Sequence, residues 1–89
     1  MIEIAFSAAF RREIKKRIKG NPSFENFFFE CLDLFIHDPF NPKLKTHKLS
    51  GKLKELWSFS IEYDLRVVFY FESDRKVVLV DIGSHNEVY

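Results

Sequence analysis

Two histidines in this chain stand among residues suited to proton transfer on a phosphate ester. His85 lies in Gly83-Ser84-His85-Asn86-Glu87-Val88-Tyr89, a polar segment that directly follows the apolar run Val77-Val78-Leu79-Val80. The segment joins an imidazole to a phenol, a proton carrier to a stacking group. His47 lies among Lys43, Lys45, Lys48, Lys52 and Lys54, with no acidic residue between 43 and 54. Imidazole titrates near neutrality, so two such groups can share the giving and taking of protons. Lysines so placed attract phosphate. Cleavage of an RNA phosphodiester without a metal or cofactor needs this set of groups. The plainer readings also stand: a loop histidine is commonly just solvated, and His37, beside Asp38, suits the C-terminal end of a helix dipole.

The elements that must hold these groups can be read from periodicity. Ile2-Glu3-Ile4 alternates as a short strand. Ser7 can cap a following helix in which Phe6, Phe10, Ile14 and Ile18 recur every four residues, and Gly20-Asn21-Pro22 stops it. Asn21 or Ser23 can start a second helix, whose Phe24, Phe27, Phe28, Cys31, Leu32 and Phe35 keep the spacing of a buried stripe. Asp38-Pro39-Phe40-Asn41-Pro42 ends that helix and opens a loop. From Lys54 the period becomes two: Trp57, Phe59 and Ile61 point one way, Ser58, Ser60 and Glu62 the other. Further strands follow at Leu65 to Phe71 and Lys76 to Ile82. The expectation is one α+β domain over 1–89, in the order β-α-α-β-β-β. Two N-terminal helices would pack on one face of a mainly antiparallel, twisted sheet and leave the other open.

In such a meander Asp64, Arg66 and His85 meet at one end of the sheet. If Leu65, Val67, Phe69 and Phe71 face the helices, Arg66 faces the open side, where His85 continues the alternation of Asp81 and Gly83. Arg66 could equally be an edge residue paired to Glu62 or Asp81. His47 precedes the first long strand at the opposite end, so its loop must fold back over the open face to join the others.

Composition narrows the class. Eighty-nine residues, 46% hydrophobic and with eleven phenylalanines, make a packed domain. No apolar stretch approaches the ~18 residues that span a bilayer. Met1-Ile2-Glu3, with Arg11 and Arg12 close behind, does not read as a signal peptide, so a cytoplasmic protein is expected. The single Cys31 excludes an internal disulfide and a cysteine-based zinc site, and is expected to be a buried thiol. The net charge is only +1, yet Arg11, Arg12, Lys15, Lys16, Arg17 and Lys19 crowd one window with Glu13 as its only acid. Such segregation makes a local anion-binding face, or simply the solvated face of an amphipathic helix.

The segments His47-Lys48-Leu49-Ser50-Gly51, Trp57-Ser58-Phe59-Ser60-Ile61, Leu65-Arg66-Val67-Val68-Phe69 and Ile82 to Tyr89 resemble the RelE/ParE toxin superfamily, and most nearly the ribonuclease branch of RelE, YoeB and YafQ. Length and element order agree as well. The resemblance implies a RelE-like fold and the toxin of a type II toxin–antitoxin pair, entering the ribosomal A site to cut messenger RNA. By that resemblance His47 matches the histidine before a Leu-x-Gly turn, His85 the C-terminal catalytic histidine and Tyr89 the closing aromatic. Asp64 resembles the acid of an Ile-x-x-Asp segment, and Arg66 the strand arginine that stabilises phosphate charge. Ser60 departs from a histidine of the YafQ pattern, and Ser58 with Ser60 from the lysine pair of RelE. The implied partners are a cognate antitoxin, forming a heterocomplex with an otherwise monomeric toxin, and messenger and ribosomal RNA, with no membrane. Lys43, Lys45, Lys48, Lys52 and Lys54 would touch RNA. The rival is a ParE-like toxin that poisons DNA gyrase by protein contact and has no need of His47, His85 and Tyr89 together.

Overall fold

Phenylalanine packing organises the molecule. The computed structural model describes residues 1–51 and 55–88, so Lys52, Lys54 and Tyr89 lie outside the described residues. Strand β1 (Glu3–Phe6) leads into α1 (Ala8–Ile18) and α2 (Pro22–His37). A 3-10 turn (Pro42–Leu44) and a two-residue strand β2 (His47–Lys48) precede the long strands β3 (Trp57–Glu62), β4 (Leu65–Ser73) and β5 (Lys76–Ser84). A last helical turn, α3, spans His85–Val88.

The expected helix starts are present. Ser7 Oγ accepts from the Phe10 amide at 3.1 Å, and of the two candidates for α2 it is Asn21 that caps, accepting from the Phe24 amide at 3.2 Å. Pro22 opens α2, where a missing N–H costs nothing. Gly20, at φ +70°, takes the left-handed conformation that breaks the chain between the helices.

The sheet runs β1-β5-β4-β3-β2, antiparallel except that β1 lies parallel to β5. Its helix-facing side presents Phe59, Ile61, Val67, Phe69, Val77, Leu79 and Ile82 to Phe10, Ile14, Phe28, Leu32 and Phe35. Phe35 is the centre of this core: it stacks on Phe59 at 4.6 Å and meets the edge of Phe69 at 5.1 Å. The fold class expected from the sequence is therefore observed.

Three details differ from expectation. The sheet gains β2 and the chain gains α3, because pairing and capping, not periodicity, create these short elements. The α2 stripe is less uniform than its spacing suggests: Phe27 is 40% exposed and Cys31 only partly covered. The face away from α1 and α2 is not wholly open either, since Ser58 and Val68 on that side are buried. Among the described residues no helix is long and apolar enough to cross a membrane.

Candidate functional site

Cross-strand register decides which side chains share a surface. Ser60 pairs with Arg66, and Arg66 with Gly83. One row along, His47 pairs with Ser58, Ser58 with Val68, and Val68 with Asp81. Directly opposed residues point to the same face, and the intervening Phe59 and Val67 point to the core. His47 and Arg66 thus lie on the face turned away from α1 and α2. From strand spacing and rise, their Cα atoms are roughly 12 Å apart.

The loop before His47 is built, not slack. Asn41 Nδ2 donates to Asp38 Oδ2 at 3.0 Å, and Asn41 Oδ1 accepts from the Lys43 amide at 2.9 Å. The 3-10 turn drives Leu44 into the core, where it is 1% exposed. Lys45 then takes φ 52°, uncommon for a residue with a side chain, and reverses the chain. Thr46 Oγ1 donates back to the Pro39 carbonyl at 2.6 Å. His47 Nδ1 donates to the Lys45 carbonyl at 2.9 Å. A carbonyl can only accept, so in the neutral ring the proton sits on Nδ1 and the lone pair on Nε2. The sequence leaves open how the loop reaches the open face; it does so by adding an edge strand that carries His47 on that face.

At the other end of the sheet, Leu65 pairs with Ser84, and Asp64 Oδ1 accepts from the His85 amide at 3.4 Å. Asp64, Arg66 and His85 are therefore brought together. The Arg66 guanidinium donates to the Tyr63 carbonyl at 3.0 Å and reaches the Glu62 carbonyl at 3.4 Å. Both oxygens belong to the backbone, and among the described residues Arg66 forms no salt bridge with Glu62 or Asp81. Its charge stays available to an anion. Tyr63, on the same turn, is 95% exposed.

His85 does not continue the β5 alternation; it begins α3. Ser84 Oγ accepts from the Glu87 amide at 3.2 Å, and Glu87 Oε1 accepts from the Ser84 amide at 2.7 Å. This reciprocal capping box is a Ser-x-x-Glu signal legible in the sequence. Sequence reasoning passed over it, and so over Ser84 and Glu87. The hydrogen bonds from Ser84 hold the Glu87 carboxyl below its usual range, helped by the charge of Arg17. A side chain at position 83 would meet Glu87 Cβ and Val88 Cγ1 at 3.1 Å, so Gly83 is what lets the turn lie down on the sheet. His47 remains across β3 and β4 from His85 and belongs to a separate arm. Lys43, Lys45 and Lys48 are all exposed around it. His37 Nδ1 donates to the Asp33 carbonyl at 2.9 Å, at the end of α2. Burial and the nearby Glu30 and Glu62 push the Cys31 thiol up. Among the described residues, no three His, Cys, Asp or Glu side chains gather as a metal site requires.

Residues 2–89 match the family model of the bacterial toxin of type II toxin–antitoxin systems, YafQ. The chain belongs to the YafQ family. Solved structures agree with this fold. A metal-bound toxin from Helicobacter pylori is 26% identical, with TM-score 0.77 and both chains covered in full. Escherichia coli YafQ is 18% identical, with TM-score 0.77 over 100% of this chain and 99% of that one. YafQ in the E. coli DinJ–YafQ complex is 19% identical, with the same TM-score and coverage. No curated protein matches in sequence. Within the YafQ family frame, the end of the sheet bearing Asp64, Arg66 and His85 is the candidate active site.

Proposed function

We propose that this type II toxin is a ribosome-dependent endoribonuclease that cuts messenger RNA in the A site by metal-independent attack of the 2′-hydroxyl. The grouping of Asp64, Arg66 and His85 on one sheet end, with His47 on the same face as Arg66, carries the reading. His47 takes the 2′-hydroxyl proton through Nε2, whose lone pair follows from the Nδ1 hydrogen bond to Lys45. The 2′-oxygen bonds to phosphorus as the bond to the 5′-oxygen breaks, and His85 protonates that leaving oxygen. Arg66 offers the phosphoryl oxygens parallel hydrogen bonds. Asp64 orients His85 through the backbone, and Tyr89 stacks near the scissile nucleotide. The products carry a 2′,3′-cyclic phosphate and a 5′-hydroxyl.

Lys43, Lys45, Lys48, Lys52 and Lys54 contact RNA phosphates, and their contribution weakens with salt. The toxin works in the cytoplasm as a monomer. A cognate antitoxin neutralises it in a heterocomplex, as the DinJ–YafQ pairing suggests by analogy. Primer extension on ribosome-bound messenger RNA tests the reading. The parent should cut in the A site, His85→Ala should not, and naked RNA should survive. A folded parent that makes no cuts overturns the proposal and sends the question to a gyrase supercoiling assay.

A further inference from the structure

Helix α1 carries a charge pattern that the proposed chemistry does not use. At 100° per residue, Arg11, Arg12, Lys15, Lys16 and Lys19 fall within an arc of roughly 140°, along about 12 Å of axis. All five are exposed. Phe10 and Ile14 occupy the buried arc. Glu13, the only acid on the helix, sits between the two arcs and pairs with Arg17 at 3.6 Å. Among the described residues, none of the five joins an ion pair. Arg11 lies over the Phe6 ring at 6.0 Å.

Helix stability accounts for part of this pattern, since Lys15, Lys16 and Arg17 stand in the last turn where the dipole favours cations, but not for its N-terminal half. The first turn of α1 contains no acid to oppose the dipole, and a cation, Arg11, stands where an anion is favoured. Arg11 with Lys15, and Arg12 with Lys16, are like-charge pairs at i,i+4, which destabilise a helix. A merely solvated face ordinarily mixes signs.

We propose that this acid-free face is a second phosphate-binding surface, gripping folded RNA from the helix-covered side of the sheet. The inference rests on the ribosome reading above and deepens it. Arg66 and His47 project from the far face of the sheet, whereas α1 covers the near face. One extended RNA strand cannot lie along both, but a cleft walled by folded RNA can. A protein partner fits this surface less well, because a stable protein interface needs an apolar centre. Among the described residues, the exposed large apolar ones are Met1, Phe27, Phe29, Phe40, Tyr63 and Tyr70, none of them on α1. A phosphate backbone needs only cations.

The test uses the full chain with His85→Ala, so that bound RNA is not cut. Binding to 70S ribosomes and to a single-stranded 30-mer is measured across a KCl series, with and without Arg12→Gln, Lys15→Gln and Lys16→Gln together. Ribosome affinity should fall roughly ten- to a hundredfold near 0.1 M salt, and the log–log salt slope should shrink by about two to three. Binding to the 30-mer should hold. A triple variant with native circular dichroism and unchanged ribosome affinity and slope overturns the proposal. Equal weakening on the 30-mer overturns the two-sided grip, and so does a chain that never binds ribosomes. A parent that binds with this salt dependence yet never cuts removes the nuclease reading and leaves this one standing.

Discussion

The two histidine arms are held by different forces. His47 hangs from a loop pinned by Leu44, 1% exposed in the main core. His85 starts a turn with no buried residue of its own, held by the Ser84–Glu87 box, the Asp64 carboxylate and the close fit over Gly83. One arm is secured by apolar burial far from the chemistry, the other by polar bonds beside it. The first should fail when the core is damaged, the second when a charge or cap is lost.

The largest effects come from removing the imidazoles themselves. His47→Ala and His85→Ala should each slow single-turnover cleavage of ribosome-bound RNA by roughly 10²–10⁴ while leaving thermal unfolding unchanged. A sharp inequality between them would mean that only one arm carries proton transfer. Next comes Leu44→Ala, expected to lose about 2–5 kcal/mol in urea unfolding because it empties a filled core position. The loss should disturb His47 and spare the chemical shifts of α3. Ser84→Ala should be milder, about 0.5–2 kcal/mol of local stability, read as faster amide exchange at Glu87 with the core amides unaffected.

The smallest effect is a titration. The Glu87 carboxyl has a folded pKa below its ordinary 4.5. The cap is therefore fully stabilising above 4.5 and is lost as pH falls through the lower folded value. An NMR titration of the Glu87 side chain should show a midpoint under 4.5, with the Ser84 amide, which donates to that carboxylate, shifting in step.

Most of the fold was legible because its elements repeat: fourfold spacing in α1, alternation from Trp57 onward, and caps at Ser7 and Asn21. The meeting of Asp64 with His85 also followed, since an antiparallel meander brings a strand's end beside its neighbour's start. What escaped has no period to read. Two residues of β2 are a strand only because Ser58 and Trp57 offer them partners. The turn at His85 was announced by Ser84 and Glu87, but four residues carry too little pattern to outweigh the reading of a polar tail. Burial of Ser58 and Val68 depends on what lies over the sheet, which no local spacing encodes.

The strand order has a consequence in time. β1, the first strand made, has its place only beside β5, the last, and β5 also completes the pairing of β4. Contacts this distant along the chain form late, because the intervening loop must first be closed. The sheet therefore closes from its middle toward a seam joining the beginning of the chain to its end. The turn bearing His85 follows directly on that seam, so its platform is finished only when the final long strand is in place.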